Sequence, residues 1–300
     1  MSHLLEVEGL TTVFTGDYGE TTSVDHVSFH VDEGEVVCIV GESGCGKSVT
    51  NLSVMGLLSR GGKVTEGRVL FEDRDLLAMS EKELDKIRGD RMTMIFQDPL
   101  TSLNPVFTVG NQIMESLQIH RGLSKDEARK QAEELLSRVG MPDAKSTMKK
   151  YPHTLSGGMR QRVMIAMALS CKPKLLIADE PTTALDVTIQ AQILDLFRDI
   201  QKKMHTSTIF VTHDLGVVAR VADRVAVMYA GKIVELGTTE DIFYDARHPY
   251  TWGLMQALPA YAKGKEMLHA IPGMPPVLIN PPRGDAFACR NEYALAIDYE

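Results

Sequence analysis

The segment GESGCGKS, residues 41–48, has the residue types and spacing that bind phosphate groups. It follows the short apolar run EVVCIVG (35–41) and precedes SVTNLSVMGLL (48–58), so a buried strand and a helix are predicted on either side. Glycines let backbone N–H groups turn inward, a lysine places charge on the β- and γ-phosphates, and a serine hydroxyl coordinates Mg²⁺. A chance glycine-rich turn is disfavoured because strand, helix, lysine and serine are all in place.

The segment LLIADEP supplies carboxylates suited to a metal and a water molecule. Asp179 ends the apolar run LLIAD (175–179), which predicts a carboxylate at a sheet edge near Mg²⁺. Glu180 comes next and is suited to polarising an attacking water. The alternative is an acidic pair that faces solvent, which the phosphate loop in the same chain makes less favoured.

Two further polar residues follow apolar runs in the same way. Gln97 ends MTMIFQ (92–97), and His213 follows STIFVT (207–212). Ligands of open α/β sheets gather at the carboxyl ends of the strands. We therefore expect Gln97, Asp179 and His213 to converge on one γ-phosphate, although a lone histidine after a strand is more often structural.

A second candidate for anion binding lies in HTLSGGMRQR, residues 153–162. Ser156, Gly157 and Gly158 precede a run that is predicted to be helical, and a helix N-terminus attracts anions through its N–H groups and dipole. An ordinary capped helix start is the alternative, but a cap does not require paired glycines.

The remaining pattern predicts an α/β fold with a mostly parallel sheet. The predicted strands include 4–10, 24–31, 67–72 and 224–229, with a turn-rich loop at TGDYGETT (15–22). Helices are predicted at 109–122, at 124–140 behind a Ser124–Glu127 capping box, and at 188–204; another capping box stands at 80–83. The block from about 100 to 170 is predicted to be an inserted helical subdomain. The proline-rich residues 240–300 are predicted to be an extension with little core of its own.

The composition restricts the class of protein. A net charge of −8 argues against broad nucleic-acid binding. The four cysteines, Cys38, Cys45, Cys171 and Cys289, form no CxxC pair, which fits a reducing compartment. No signal peptide pattern and no apolar run of about 18–20 residues is present, so we expect a soluble, cytoplasmic protein.

These motifs, in this order, resemble the ATP-binding-cassette (ABC) ATPases over roughly residues 4–240. The resemblance rests on GESGCGKS, Gln97, LSGGMRQR, LLIADEP, TALD (183–186) and His213. It implies the P-loop NTPase cassette fold, with a RecA-like core, an antiparallel β subdomain, the inserted helical subdomain (about 100–170) within residues 1–240, and the extension at 241–300. It also implies ATP and Mg²⁺ as ligands.

In this family two cassettes pack head to tail, and each ATP lies between the phosphate loop of one and the LSGGQ-like segment of the other. The resemblance therefore explains two anion cradles in one chain. It implies catalytic roles for Glu180, His213, Gln97 and Lys47 and places Mg²⁺ near Ser48, Gln97 and Asp179. Nucleotide binding is assigned to Gly41, Glu42, Ser43, Gly44, Cys45, Gly46, Lys47, Ser48, Val49, Phe14, Gln97 and Asp179, and, toward the partner's ATP, to Ser156, Gly157, Gly158 and Asp186.

Two of these implied assignments need comment. Phe14 is the candidate for stacking on adenine, with Tyr18 as its rival. Met159 stands where glutamine is usual in the signature, but the Ser-Gly-Gly triplet is intact, so we expect activity to survive.

The segments between and after the motifs indicate the kind of cassette. About sixty residues without heptads separate Gln97 from Ser156, which does not fit DNA-repair ATPases, and the single cassette does not fit ribosome factors. FQDPLTSLNP, HPYTWGLMQALP (248–259) and IPGMPP resemble the ATPase subunits of bacterial di- and oligopeptide importers, a group with nickel and glutathione members.

The last residues, GDAFACRNEYALAIDYE, resemble a segment in which many members bind an iron–sulfur cluster. The pattern has cysteines where this chain has Asp285, Asn291 and Asp298, and Cys289 falls where the pattern has proline. One thiolate cannot hold a cluster that needs four ligands, so no cluster is expected. This ending is closer to the oligopeptide branch.

The resulting hypothesis is an ATP-hydrolysing subunit of a peptide importer, oligopeptides first and dipeptides second. The implied partners are a second, heterologous ATPase subunit, two transmembrane permeases that dock beside Gln97 and the 98–118 segment, and indirectly an extracellular peptide-binding protein. The chain would lie on the cytoplasmic face of the membrane. The alternatives are a nickel or glutathione importer and a soluble regulatory ATPase.

Overall fold

The computed structural model describes residues 3–16, 19–98, 102–183, 185–258, 271–276, 278–279, 282 and 284–300 of the 300-residue chain. It divides into two compact units, of which the first contains residues 1–79 and 210–300 and the second contains residues 80–209. Within the described parts, no helix is both long and apolar enough to cross a bilayer.

The described elements begin with three consecutive strands, and four α-helices follow one another between the sixth and the seventh strand. The strands are β1 (Leu5–Gly16), β2 (Gly19–Val31), β3 (Val36–Val40), β4 (Gly62–Phe71), β5 (Arg74–Asp75), β6 (Met92–Ile95), β7 (Leu175–Asp179), β8 (Ser207–Thr212), β9 (Arg224–Tyr229) and β10 (Lys232–Thr238). The α-helices are α1 (Lys47–Met55), α2 (Glu81–Leu84), α3 (Val109–Arg121), α4 (Lys125–Arg138), α5 (Ala144–Thr147), α6 (Gly157–Ala168), α7 (Val187–Met204), α8 (Leu215–Val221), α9 (Thr239–Tyr244) and α10 (Pro249–Gln256).

The first unit contains an antiparallel sheet with the strand order β2-β1-β4-β5. Leu5 stands opposite both Val31 and Phe71, and all three side chains are buried. Alternate residues of these strands therefore form one apolar face, as expected for an antiparallel sheet with one face on the core.

The strands of this sheet are longer than the sequence pattern predicts, and the prediction of a loop is wrong for residues 15–16 and 19–22, while residues 17–18 lie outside the described residues. β1 continues to Gly16 and β2 begins at Gly19, which pair with each other, and β4 begins at Gly62 instead of residue 67. The ends of these strands are mostly exposed, so their side chains do not alternate between apolar and polar.

The strand before the phosphate loop is buried on both faces, as the sequence predicts. All five residues of β3 are buried, and β3 pairs in parallel with β9, which pairs antiparallel with β10. A strand of this kind must be apolar throughout, because helices or sheets cover both of its faces. It presents residues 41–48 at its carboxyl end.

Glycines set both ends of α1. Gly46 precedes the helix at φ 107°, and Gly56 follows it at φ 63°, the left-handed conformation that ends many helices. The predicted helix over 48–58 is therefore too long at its C-terminal end, since the helix ends at Met55 and Gly56 caps it.

The second unit contains a parallel pair of strands and most of the long helices. β6 and β7 pair from Met92 opposite Leu175 to Ile95 opposite Ala178. Because β6 ends at Ile95, the prediction that Gln97 ends this strand is wrong: Gln97 lies two residues beyond it, in the connection that follows.

The predicted helices of the second unit are present. In α4 the Glu127 carboxylate accepts from the Ser124 N–H at 2.9 Å, and the Glu127 N–H donates to the Ser124 hydroxyl at 3.4 Å, which is the predicted capping box. The boundaries of the inserted helical subdomain stay a prediction.

The described C-terminal residues share the core around β9. Tyr250 of α10 and Phe287 are buried, and their rings lie 4.6 Å and 5.3 Å from the ring of Tyr229, centroid to centroid. Aromatic pairs at such distances are worth about 0.5–1.5 kcal/mol beyond their buried area. These described residues of the proline-rich extension therefore pack onto the first unit, to which they belong.

Candidate functional site

Two glycines of the phosphate loop are required by close backbone contacts. A Cβ atom at Gly41 would lie 2.1 Å from the carbonyl oxygen of Met228, and one at Gly46 would lie 2.4 Å from that of Ser23. Gly44 has φ +80° with no atom within 4 Å of its missing Cβ, so it is required by conformation alone. The three glycines thus fold the loop tightly against its own unit.

Lys47 lies inside the loop. Its side chain is buried, and Nζ donates to the carbonyl oxygens of Gly41 at 2.7 Å and Glu42 at 2.9 Å. The ammonium group therefore reaches from the start of α1 back to the first two residues of the loop. Its action on β- and γ-phosphates stays a prediction.

Other contacts tie the loop to neighbouring residues of the first unit. The Gly231 N–H donates to the Cys45 carbonyl at 2.9 Å, and Thr50 donates its N–H to the Gly46 carbonyl at 2.9 Å. Burial raises the pKa of the Cys45 thiol, against the opposing charge of Lys47, so this cysteine is a packed, protonated side chain. The first turn of α1 holds no acidic residue, which leaves its dipole available to an anion.

Glu42 contacts two C-terminal residues that the sequence does not relate to it. Its N–H donates to the Tyr250 hydroxyl at 2.8 Å, and its carboxylate forms an ion pair with Arg290 at 2.7 Å. Its role in nucleotide binding stays a prediction, and in this structure both groups point to the C-terminal residues.

In the second unit the structure brings Gln97 and Glu180 together. Gln97 Nε2 donates to Glu180 Oε2 at 3.1 Å, and the Thr183 hydroxyl donates to the same oxygen at 2.9 Å. Glu180 has φ +46°, a conformation uncommon for a residue with a side chain. Such backbone strain is concentrated at functional sites, where the surrounding structure fixes it.

Asp179 lies at the end of β7 as predicted, and its side chain is buried. The three predicted metal ligands offer hard oxygen atoms: a hydroxyl from Ser48, a carboxylate from Asp179 and an amide oxygen from Gln97. This donor set fits Mg²⁺, which prefers oxygen ligands.

The signature segment begins α6. Ser156 is its N-cap, and its hydroxyl accepts from the Met159 N–H at 3.4 Å. Ser156 therefore caps the helix, as the alternative interpretation of this segment predicts. The first turn of α6 contains no acidic residue but contains Arg160, so the helix N-terminus is positive.

The two signature glycines have different surroundings. A Cβ at Gly158 would lie 2.7 Å from Ile189 Cγ2 of α7, so this glycine permits close helix packing. A Cβ at Gly157 would meet only Leu185 Cδ2 at 3.8 Å, an ordinary contact. Packing within the described residues therefore explains Gly158 and leaves Gly157 with no steric requirement.

The remaining predicted residues have local roles in the structure. Asp186 is the N-cap of α7 and accepts from the Ile189 N–H at 2.9 Å, and His213 lies exposed directly after β8. Phe14 is half-buried in β1 with its ring against Gly62, while Tyr18 lies outside the described residues. Adenine stacking by Phe14 stays a prediction.

A cluster of two histidines and one aspartate in the first unit has the residue types of a metal site. Side-chain atoms of His3, His30 and Asp32 lie within 4.8 Å of one another. However, Arg224 Nη1 lies 2.9 Å from His30 Nε2, and burial together with this cation lowers the pKa of His30. A neighbouring positive charge disfavours a metal cation there.

The sequence pattern did not identify Thr183, Tyr250 or Arg290 as parts of these sites. Thr183 lies within the TALD segment and Tyr250 within HPYTWGLMQALP, so both motifs contained a signal. No pattern in the sequence relates Arg290 to the phosphate loop, because Arg290 and Glu42 are 248 residues apart in the chain.

Comparisons with known proteins show which family the chain resembles. Residues 24–183 match the family described as ABC transporter, and residues 234–297 match the family described as oligopeptide/dipeptide transporter, C-terminal region. The chain is 58% identical to the oligopeptide transport ATP-binding protein OppD of Bacillus subtilis, with 100% of this chain and 84% of that protein aligned. It is 53% identical to the dipeptide transport ATP-binding protein DppD of Lactococcus lactis, with 99% and 85% aligned.

Solved structures show the same fold. The dimeric post-hydrolysis state of the ATP-binding cassette MJ0796, bound to ADP and Pi, has a TM-score of 0.71 at 29% identity and covers 78% of this chain and 98% of that chain. The cassette CbiO1 from Clostridium perfringens has a TM-score of 0.69 at 30% identity, covering 82% and 93%.

Proposed function

The chain belongs to the ABC transporter ATPases, and we propose that it hydrolyses ATP to power a bacterial peptide importer. One observation carries the proposal. The chain has a phosphate loop in which Lys47 donates to the Gly41 carbonyl, and its residues 234–297 match the oligopeptide/dipeptide transporter region. Oligopeptides are the substrates that the relative with 58% identity supports, and dipeptides are those that the relative with 53% identity supports.

The phosphate loop would bind the triphosphate of ATP. Lys47 neutralises charge on the β- and γ-phosphates, and the N–H groups that start α1 donate to phosphate oxygens. Ser48, Asp179 and Gln97 would hold Mg²⁺, which supplies charge neutralisation to the phosphates.

Glu180 would be the base that orients and polarises the attacking water. Its carboxylate accepts hydrogen bonds from Gln97 and Thr183, which fix its direction and keep it an acceptor. His213 would assist as the switch residue at the end of β8, a role that rests on the family resemblance alone.

The signature segment would serve the ATP of a second cassette. Ser156, Gly157 and Gly158 start α6 with a positive dipole, which suits a γ-phosphate, and Asp186 would contact the partner. The second cassette would be a related but different chain. Two permeases would dock beside Gln97 and the 98–118 segment, with a peptide-binding protein outside the cell, and the chain would be peripheral to the cytoplasmic face of the membrane.

Replacing Glu180 by glutamine tests the catalytic part of this proposal. We expect Glu180→Gln to bind ATP as the wild type does and to lower turnover about 10²–10⁴-fold, since a general base of this kind contributes that factor. ATP affinity is measured by calorimetry and turnover by phosphate release. Glu134→Gln, a change of the same kind at an exposed residue of α4, is the control and should retain turnover. Turnover near the wild-type rate in Glu180→Gln would remove its assigned role.

The substrate class is tested in a strain that lacks this chain. Uptake of a labelled tripeptide should be lost and should return with the wild-type gene but not with Lys47→Ala. If uptake of Ni²⁺ or glutathione is lost instead, the peptide assignment is wrong.

A further inference from the structure

We infer that Arg290 and Tyr250, from the C-terminal residues, are positioning residues that preset the phosphate loop for ATP by holding Glu42. The inference rests on the proposed function, because it requires ATP to bind in this loop. It makes Arg290 and Tyr250 of the C-terminal region a support of the nucleotide site.

Arg290 holds the Glu42 carboxylate through two parallel hydrogen bonds. Nη1 donates to Glu42 Oε2 at 2.7 Å, and Nη2 donates to Glu42 Oε1 at 3.0 Å. A guanidinium fork of this kind fixes the direction of the carboxylate as well as its position. The Glu42 side chain therefore has little freedom to rotate in this structure.

The rest of the Arg290 side chain is held as firmly. Nε donates to the Pro272 carbonyl at 2.7 Å, and Nη1 also donates to the Tyr229 hydroxyl at 3.3 Å. The guanidinium carbon lies 5.7 Å from the centre of the Tyr229 ring, and the Arg290 side chain is only 4% exposed. Pairing with Glu42 raises the pKa of Arg290, so the charge persists despite burial.

Tyr250 holds the backbone of the same loop residue. Its hydroxyl accepts from the Glu42 N–H at 2.8 Å, and its ring is fully buried against Tyr229 and Phe287. Burial raises the pKa of Tyr250, so the hydroxyl stays neutral. Both the N–H and the carboxylate of Glu42 are thus bound by C-terminal residues.

Glu42 passes this restraint directly to the phosphate-binding lysine. The Glu42 carbonyl oxygen accepts from Lys47 Nζ at 2.9 Å. The Glu42 N–H and the Gly41 carbonyl belong to the same peptide unit, so a rotation of that unit would move both the N–H that binds Tyr250 and a second carbonyl that binds Lys47. The contacts form one connected path from Arg290 through Glu42 to Lys47.

Preorganisation explains why such a restraint should affect binding. A loop with three glycines is flexible unless other groups order it, and ordering a loop at the moment of binding reduces affinity. Because Arg290 and Tyr250 order Glu42 before the nucleotide arrives, their loss should weaken ATP binding even though neither is required to touch ATP. A merely structural ion pair would affect thermal stability without changing affinity.

The experiment is a double-mutant cycle in ATP affinity with the full-length chain. Arg290→Met and Glu42→Gln should each raise the Kd for Mg·ATP about tenfold, and the double variant should be no weaker than the weaker single variant, because both changes remove one interaction. Arg290→Lys, which keeps the charge but loses the fork, should give an intermediate Kd. Arg290→Lys replaces Arg290→Met in the cycle if Arg290→Met fails to fold.

Arg224→Met is the matched control. Arg224 pairs with Glu35 at 3.2 Å in the same unit, and its side chain is 20% exposed. Among the described residues its side chain donates to His30 and Glu35, which are not part of the phosphate loop. It should lower the melting temperature and leave the Kd for Mg·ATP unchanged.

The outcomes separate this inference from the proposed function. If the wild type binds Mg·ATP and Lys47→Ala loses it, but Arg290→Lys and Glu42→Gln bind as the wild type does, the inference fails and the proposed function stands. Additive losses in the cycle would also overturn it, since Arg290 would then act without Glu42. If the wild type itself does not bind Mg·ATP, the proposed function fails.

Discussion

At the scale of single residues, the two signature glycines differ in whether packing requires them. Gly158 is required because Ile189 of α7 leaves no room for a methyl group, whereas Gly157 has room for one. The described residues therefore give no steric reason for glycine at position 157, and we propose that the reason is a ligand at the helix tip.

This contrast predicts opposite results for two similar substitutions. Gly158→Ala should lower the free energy of unfolding by about 1–3 kcal/mol, because the β-branched Ile189 cannot move its Cγ2 freely. Gly157→Ala should leave that free energy unchanged or slightly higher, since alanine favours helix over glycine, yet should lower ATP turnover at least about tenfold. Chemical denaturation and phosphate release measure the two quantities. Wild-type turnover in Gly157→Ala would show that the helix tip has no ligand.

Glu180 shows how backbone and side chain combine at one residue. Its positive φ follows directly after the buried strand residue Asp179, so the chain turns sharply where β7 ends. Hydrogen bonds from Gln97 and Thr183 to its carboxylate hold the side chain in the strained turn.

At the scale of elements, α10 has a start that depends on the protonation of one histidine. His248 is its N-cap, and His248 Nδ1 accepts from the Tyr250 N–H at 3.1 Å, which requires that nitrogen to carry no proton. Burial lowers the pKa of His248, although the charges of Asp285 and Glu235 act in the opposite direction.

The stability of the first unit should therefore fall in mild acid. The unfolded chain takes up a proton at His248 near the ordinary pKa of 6.5 while the folded chain does not, so unfolding gains protons as the pH falls. The contribution is fully present above about pH 7 and decreases as the pH falls through 6.5 toward the lower pKa of the folded state.

A histidine-free cap tests this dependence. His248→Asn keeps a capping acceptor that does not titrate, so the drop in melting temperature from about pH 7.5 to 5.5 should be smaller than in the wild type. Equal drops in the two proteins would assign the acid sensitivity to other groups. The effect matters for function because α10 also carries Tyr250, which binds Glu42 of the phosphate loop.

At the scale of the whole molecule, each chain carries two nucleotide-binding halves that we propose to serve different ATP molecules. The phosphate loop with Lys47 lies in the first unit, and the signature helix α6 lies in the second. If the signature segment acts only on a partner's ATP, it contributes to turnover but not to ATP binding by an isolated chain.

Ser156→Asp tests this division of labour. Aspartate keeps the helix cap but places a negative charge where a γ-phosphate is proposed, so turnover should fall about 10²-fold or more while the isolated chain binds ATP with unchanged affinity. Ser124→Asp, the same exchange at the N-cap of α4, is the control and should retain both properties. Weaker ATP binding by the isolated Ser156→Asp chain would contradict binding in trans.

Motifs that are local in the sequence predict the chemistry of the candidate sites and the type of most elements. GESGCGKS between a buried strand and a helix, the acidic pair after LLIAD, and the capping boxes at Ser80 and Ser124 depend on residues close in sequence, so their spacing is visible without a structure. The family resemblance followed from the same local motifs.

The distant residues that support those motifs are visible only in the folded chain. Strand ends such as Gly16 and Gly62 depend on pairing with a neighbouring strand, the need for glycine at 158 depends on a second helix, and Arg290 meets Glu42 across 248 residues of chain. Contacts of this kind leave no periodicity or spacing in a single sequence, because the packing of the folded chain creates them.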